Sequence, residues 1–148
     1  MFVVDINVLV YAADQSVPEH ARCRAVIERC RRRHGAWFLT WGIVYEFLRV
    51  VTHPRVLRQP STMDAGTDFI AALREPPGLA FLTPTNRHPQ VLAEVVAEVR
   101  GLSGNIIHDA QTAVLMREHG IRRVCIRDTD FHRFPFLEPV DPLSADPL

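Results

Sequence analysis

The sequence predicts an α/β fold built on a parallel sheet. Short β-rich runs alternate along the chain with longer stretches of helical periodicity, the pattern of βαβ units. Turn and cap residues fall between those runs, where a chain that changes element needs them. The length of 148 residues suits one compact domain, which buries on the order of 70 % of its unfolded surface.

Phe2 to Val4 is predicted as the first strand rather than as a signal peptide, because no basic segment leads into an apolar run. A loop around Asp5 follows. Helical spacing then runs over residues 19–33, a strand is predicted at 36–39, and a second helix over 41–52. Ser61, with Asp64 three residues later, opens a helix over 62–74. Pro76-Pro77-Gly78 turns the chain into a strand at 79–82. Pro89 suits the first turn of the next helix. Asn105 is placed to cap a helix running to about His119, and Gly120 to end it in a left-handed turn. A strand at 124–126 delivers the chain to Asp128 and Asp130. The proline-rich tail (Pro135, Pro139, Pro142, Pro147) reads as an extended surface segment with one edge strand.

With 47 % hydrophobic and 23 % charged residues the composition excludes disordered and fibrous classes. The longest apolar stretch, residues 37–51, is interrupted by Glu46 and Arg49, so no membrane span is expected. Cys23, Cys30 and Cys125 lack the spacing of a zinc site or a disulfide framework, which suits a reducing cytoplasm. Cys23 and Cys30 are expected as core fillers on one helix face. A formal net charge of zero argues against a basic-tail nucleic-acid binder, so any RNA site must be local. All 17 basic residues are arginine, which removes lysine-dependent chemistry.

The chemistry-bearing residues are carboxylates. Asp5 follows one predicted strand, and Asp128 and Asp130 follow another; in open α/β sheets, ligands bind at the carboxyl ends of strands. On the helix over 41–52, Trp41, Val44, Tyr45, Leu48 and Val51 share the spacing of one apolar face. Gly42, Glu46, Arg49 and His53 form a narrow polar stripe beside it. Asp109 lies in the first turn of its helix, where the macrodipole favours a negative charge. Taken singly, each acid has an ordinary explanation as a turn, cap or solvated residue. Gathered in one cleft, they would repel one another unless protons or cations intervene. Hard oxygen ligands suit Mg²⁺ or Mn²⁺ rather than zinc, and the chemistry they imply is phosphodiester hydrolysis with no protein nucleophile.

These residues fall into an order that resembles a known family. Asp5-Ile6-Asn7-Val8-Leu9 resembles the opening D-x-N-x-L motif of PIN domains, especially the VapC-type toxins of toxin–antitoxin systems. Residues 46–56 resemble the helical motif with the second acid, residues 107–110 the third motif, and residues 128–135 the fourth. The resemblance covers about residues 1–143 and implies a PIN-like three-layer fold over residues 1–148, with a central parallel sheet of four to five strands flanked by helices. By resemblance Asp5, Glu46, Asp109 and Asp128 would carry the primary metal site, Asp130 would support it or a second ion, and Asn7 would hold the Asp5 loop. It further implies a metal-dependent ribonuclease, a cognate antitoxin covering the acidic groove, and a homodimer. The chain departs from the family at Ile126 and Arg127, where a hydroxyl or Asn often precedes the fourth acid; Thr129 is the candidate to compensate.

Arg49 is placed either to pair with an acid or to meet a substrate phosphate or the antitoxin. Arg29, Arg31, Arg32 and Arg33 close a helix where cations suit the dipole, with a phosphate-contacting rim as the alternative. His53, His108 and His132 read as hydrogen-bonding or surface residues, and Trp37, Trp41 and Tyr45 as core rather than as base-stacking platforms. The competing function is a non-catalytic PIN-like module that binds RNA or protein without cutting. A phosphoryl-transfer or receiver domain is disfavoured: no lysine exists to accompany the aspartate, and Asn7 stands where an aspartyl phosphatase places its second acid.

Overall fold

The computed structural model describes residues 1–32, 35–75 and 78–144. Of the sequence expectations, those for Arg33, Pro76, Pro77 and Pro147 lie outside these residues. Strand β1 (Phe2–Val4) is followed by α1 (Ile6–Ala13), α2 (His20–Arg32), β2 (Trp37–Thr40), α3 (Trp41–Val51) and α4 (Met63–Arg74). Then come β3 (Leu79–Leu82), α5 (His88–Glu98), α6 (Ile106–Glu118), β4 (Arg123–Cys125) and β5 (Glu138–Val140), with a 3₁₀ turn at Asp130–Arg133. The five strands form one sheet in the order β3-β2-β1-β4-β5, every pair parallel. Helices flank it, as the predicted α/β class requires.

That strand order decides where a ligand can sit. The chain leaves β1 toward β2 and β3, then returns to lay β4 on the opposite side of β1. The crevice between the carboxyl ends of β1 and β4 is therefore the topological switch point, the usual binding place of such sheets. Val3, Val4, Val124 and Cys125 are wholly buried, which explains why β1 and β4 read as continuous apolar runs. Cys23 and Cys30 are buried in the same core cluster.

The local signals place most boundaries. The Thr40 hydroxyl accepts the Ile43 N–H at 3.1 Å and starts α3 directly out of β2. Gly120 takes φ +68°. Ile121 N–H then donates back to the Met116 carbonyl at 2.8 Å and closes α6. Pro139 lies on β5, an edge strand, where a missing N–H is tolerated.

Three expectations are corrected and one element is added. Residues 6–13, to which the sequence assigned no element, form a helix whose Val8, Leu9 and Ala12 are buried in the core. Thr62, not Ser61, caps α4, its hydroxyl accepting the Ala65 N–H at 3.1 Å. Asn105 precedes α6 in a helical conformation and makes no side-chain cap bond. On α3 the buried face is Ile43, Val44, Phe47 and Val51, which turns Trp41 and Tyr45 outward; Trp37 is core as expected. No helix among the described residues is long and apolar enough to cross a membrane.

Candidate active site

Asp5 leaves the end of β1 at the switch point, its N–H donating to the Cys125 carbonyl of β4 at 3.0 Å. Only 4 % of the residue is exposed. Burial is the main cause that pushes its carboxyl up from 3.8 to about 7, with Asp109 and Glu46 adding charge repulsion against the lowering effect of the Ile6 and Asn7 backbone N–H groups. A group so placed holds a proton near neutrality unless a cation replaces it.

Asp109 reaches the same crevice from the first turn of α6. Its carboxyl is raised to about 6 by burial first, then by Asp130, Glu46 and Asp128, while His108 opposes the shift. Glu46 projects from α3, and its carboxylate pairs with Arg49 Nη2 at 3.2 Å. Asp128 and Asp130 enter beyond β4. The Asp128 Oδ1 accepts the N–H groups of Thr129 and Asp130, which folds the segment into a tight turn. Phe131, fully buried against Phe134, anchors that turn in the core.

Of the five acids predicted from sequence, Asp109 lies within electrostatic reach of Glu46, Asp128 and Asp130, and Asp5 within reach of Asp109 and Glu46. Among the described residues, no three His, Cys, Asp or Glu side chains already form a ligand cluster for an ion. The Asn7 Oδ1 accepts the Arg127 N–H at 3.1 Å, so its side-chain bond runs to the segment after β4. The Arg127 guanidinium pairs with Asp141 at 3.1 Å. Thr129 precedes the 3₁₀ turn, and its hydroxyl makes no capping bond there. His53 Nδ1 accepts the Arg55 N–H, while His108 lines a cleft of about 450 Å³ beside Glu46. Trp41, Gly42, Tyr45, Arg49 and Gln111 complete that cleft. Trp41 and Tyr45, read from sequence as core, line this cleft instead; the available signal was the Ile43–Phe47 pair, which competes for the buried face of α3 at the same spacing.

No family model matches the sequence. Curated relatives do. A Mycobacterium tuberculosis protein named Ribonuclease VapC33 is 33 % identical over 146 residues, spanning 97 % of this chain and 99 % of its own. The VapC ribonuclease Mb2897 of Mycobacterium bovis is 32 % identical over 145 residues, 98 % of this chain and 97 % of its own. The chain belongs to the VapC ribonuclease family.

Solved structures agree on the fold that this membership implies. The VapBC2 structure from Rickettsia felis superposes with a TM-score of 0.66 over 95 % of this chain and 98 % of its own, at 13 % identity. VapC20 of Mycobacterium tuberculosis, described as a sarcin–ricin-loop-cleaving toxin, gives 0.63 over 89 % and 93 % at 14 % identity. The fold carries the acids of this chain just after β1, on α3, on α6 and in the segment after β4.

Proposed function

We propose that this chain is a metal-dependent endoribonuclease that hydrolyses RNA phosphodiester bonds as the toxin of a toxin–antitoxin pair. The observation that supports this is the pair Asp5 and Asp109 at the switch point, both raised toward neutrality by burial and by neighbouring acids, with Glu46, Asp128 and Asp130 among those neighbours.

The donor set fits a hard divalent cation. It is all carboxylate oxygen, and the like charges that raise Asp5 and Asp109 are what a cation would offset. Asp5, Glu46, Asp109 and Asp128 would hold Mg²⁺ or Mn²⁺, with Asp130 supporting them or a second ion. Such a cation supplies a nucleophile from water near neutral pH and charge neutralisation at the phosphate. The chain's own part is to position and to exclude. Burial keeps Asp5 fixed at the end of β1, the Asn7 bond and the Phe131 anchor hold the Asp128–Asp130 turn, and Arg49 stands exposed to meet a phosphate.

The solved structures of VapBC2 and FitAB are both described as bound to DNA fragments. This chain is assigned a cognate antitoxin that covers the acidic cleft, and a cytoplasmic location. Exposed Leu92, Val96 and Ile107 give an apolar face for a homodimer.

The test is cleavage of single-stranded and structured RNA with Mg²⁺ or Mn²⁺, with chelator and with Asp5→Asn alongside. Cleavage that needs metal and is lost in Asp5→Asn supports the proposal. Cleavage that survives Asp5→Asn overturns it, and binding without cleavage would leave the chain a PIN-like binding module.

A further inference from the structure

Beside the acids, the cleft of about 450 Å³ has a wall the hydrolytic chemistry does not use. Trp41 is 46 % exposed and Tyr45 is 70 % exposed, one helical turn apart on α3. The Trp41 indole is fixed from beneath: it stacks on Phe81 of β3 with ring centroids 4.7 Å apart and planes 17° from parallel. Tyr45 stands next to it at 6.4 Å, tilted by 43°. An exposed indole held rigid by a second ring loses little conformational entropy when something stacks on it.

The opposite side of the cleft is polar. Gln111 and His108 of α6 supply an amide and an imidazole, groups that can donate and accept at the edge of a heterocycle. Gly42 lets the Gln111 amide lie close against α3, since a Cβ there would come within 2.7 Å of the Gln111 Oε1. Arg49 lines the same cleft with its guanidinium 64 % exposed. Glu46 belongs both to this cleft and to the acid cluster, so the two are continuous.

An aromatic face, edge-reading polar groups, a guanidinium and an opening onto the acids together match one kind of occupant. We propose that this cleft is a base-binding subsite, in which an unpaired nucleobase of single-stranded RNA next to the cut phosphate stacks on Trp41 and Tyr45. Gln111 and His108 meet the edge of that base, and Arg49 meets the adjoining phosphate. The groove between α5 and α6 shares His108 and Gln111 with this cleft and adds His88, but its other lining is aliphatic (Leu92, Val96, Leu102, Ile107 and Val114) and it lacks the two exposed rings and the Arg49 guanidinium. The inference deepens the ribonuclease proposal and rests on it, because the acids next door set which phosphate is cut.

The chain has two tryptophans, and Trp37 is only 1 % exposed, so Trp41 dominates any fluorescence response to a ligand. The experiment titrates the full chain, in excess chelator, with short U and A oligonucleotides and with an abasic sugar–phosphate oligomer of equal length. Quenching by the base-bearing oligomers, weakened roughly 5- to 150-fold for the abasic one, is expected from the usual worth of base-on-aromatic stacking. Trp41→Ala should raise KM for RNA cleavage with kcat little changed, and an unchanged KM would overturn stacking on this indole. Equal binding of the abasic oligomer would overturn the proposal in favour of phosphate contacts alone. A concentration-dependent emission shift in protein without RNA would overturn it in favour of a second copy covering the cleft. Base-dependent quenching in a chain that cleaves no RNA would sustain the subsite and sink the nuclease proposal, so the two failures are distinct.

Discussion

Asn7 and Arg127 are joined across the switch point, the Asn7 Oδ1 accepting the Arg127 backbone N–H at 3.1 Å. The bond ties the first turn of α1, next to Asp5, to the segment that carries Asp128 and Asp130. It also shows what the unusual Arg127 does. Its backbone serves Asn7, and its side chain serves Asp141.

Asn7→Ala should therefore cost more activity than stability. The lost hydrogen bond is exposed and worth about 0.5–1.5 kcal/mol, which a thermal melt reads as a small drop. Metal affinity or cleavage should fall on the order of 10- to 100-fold, the usual effect of losing a group that orients metal-binding residues. Isothermal titration with Mn²⁺ alongside an RNA cleavage assay checks this; unchanged affinity and rate would free the acids from dependence on Asn7.

The raised acids make stability depend on pH in a direction opposite to that of ordinary ion-paired carboxylates. Asp5 takes its proton at about 7 in the folded protein and Asp109 at about 6, against 3.8 for an ordinary Asp. Above pH 3.8 the unfolded chain releases protons the folded one keeps, so stability falls as pH rises and levels off above about 7. For buried Asp5 the difference corresponds to on the order of 4 kcal/mol. In chelator, melting temperature should drop between pH 5 and pH 8, Asp5→Asn should flatten that slope, and Mn²⁺ should restore stability at pH 8. A melting temperature that rises over this range would contradict the burial of an uncompensated Asp5.

The acids were legible in the sequence because strand ends and helix starts are local signals. Asp5 follows Val3 and Val4, Asp128 follows Val124 and Cys125, and such apolar runs mark strands buried on both faces. What failed was what depends on distant packing. Residues 6–10 are rich in β-branched side chains, and Asp5 at the N-cap position is the lone local sign of a helix start, yet Val8 and Leu9 are buried in α1, packing that overrides local propensity. The same limit hid Trp41 and Tyr45. Ile43 and Phe47 repeat their spacing, and the packing of α3 against α1, α4 and α6 decides which pair faces inward. The bond between Asn7 and Arg127 spans 120 residues and leaves no trace in periodicity.

Phe131 links stability to the site through its neighbour. It is fully buried, and Asp130 immediately precedes it in the 3₁₀ turn. Phe131→Ala should destabilise by about 3–5 kcal/mol, the usual cost of emptying a large aromatic from a core. Phe131→Leu should fill most of the space, lose less stability, and still weaken metal binding if the anchor of the turn governs Asp130. Urea unfolding paired with Mn²⁺ titration separates the two effects, and a Phe131→Leu protein with parental metal affinity would show that the anchor serves the core alone.

Glu118 fastens the far end of α6, on the helix that carries Asp109. Its carboxylate accepts from the Thr85 N–H and hydroxyl and bonds His88 Nδ1 at 2.8 Å, joining α6 to the segment between β3 and α5. Burial acts to raise its pKa, but the bonds from Thr85 and His88 outweigh that and bring it down from 4.5 to about 2. A depressed folded-state value means the stabilisation is complete above the ordinary pKa of 4.5 and is lost as pH falls through about 2. Glu118→Gln keeps the shape and removes the charge, so melting temperature at pH 7 should fall by several degrees. The parent's loss of stability between pH 4.5 and pH 2 should shrink in the variant by a similar amount. Parallel pH–melting curves for the two proteins would instead show that Glu118 acts only as a neutral hydrogen-bond acceptor.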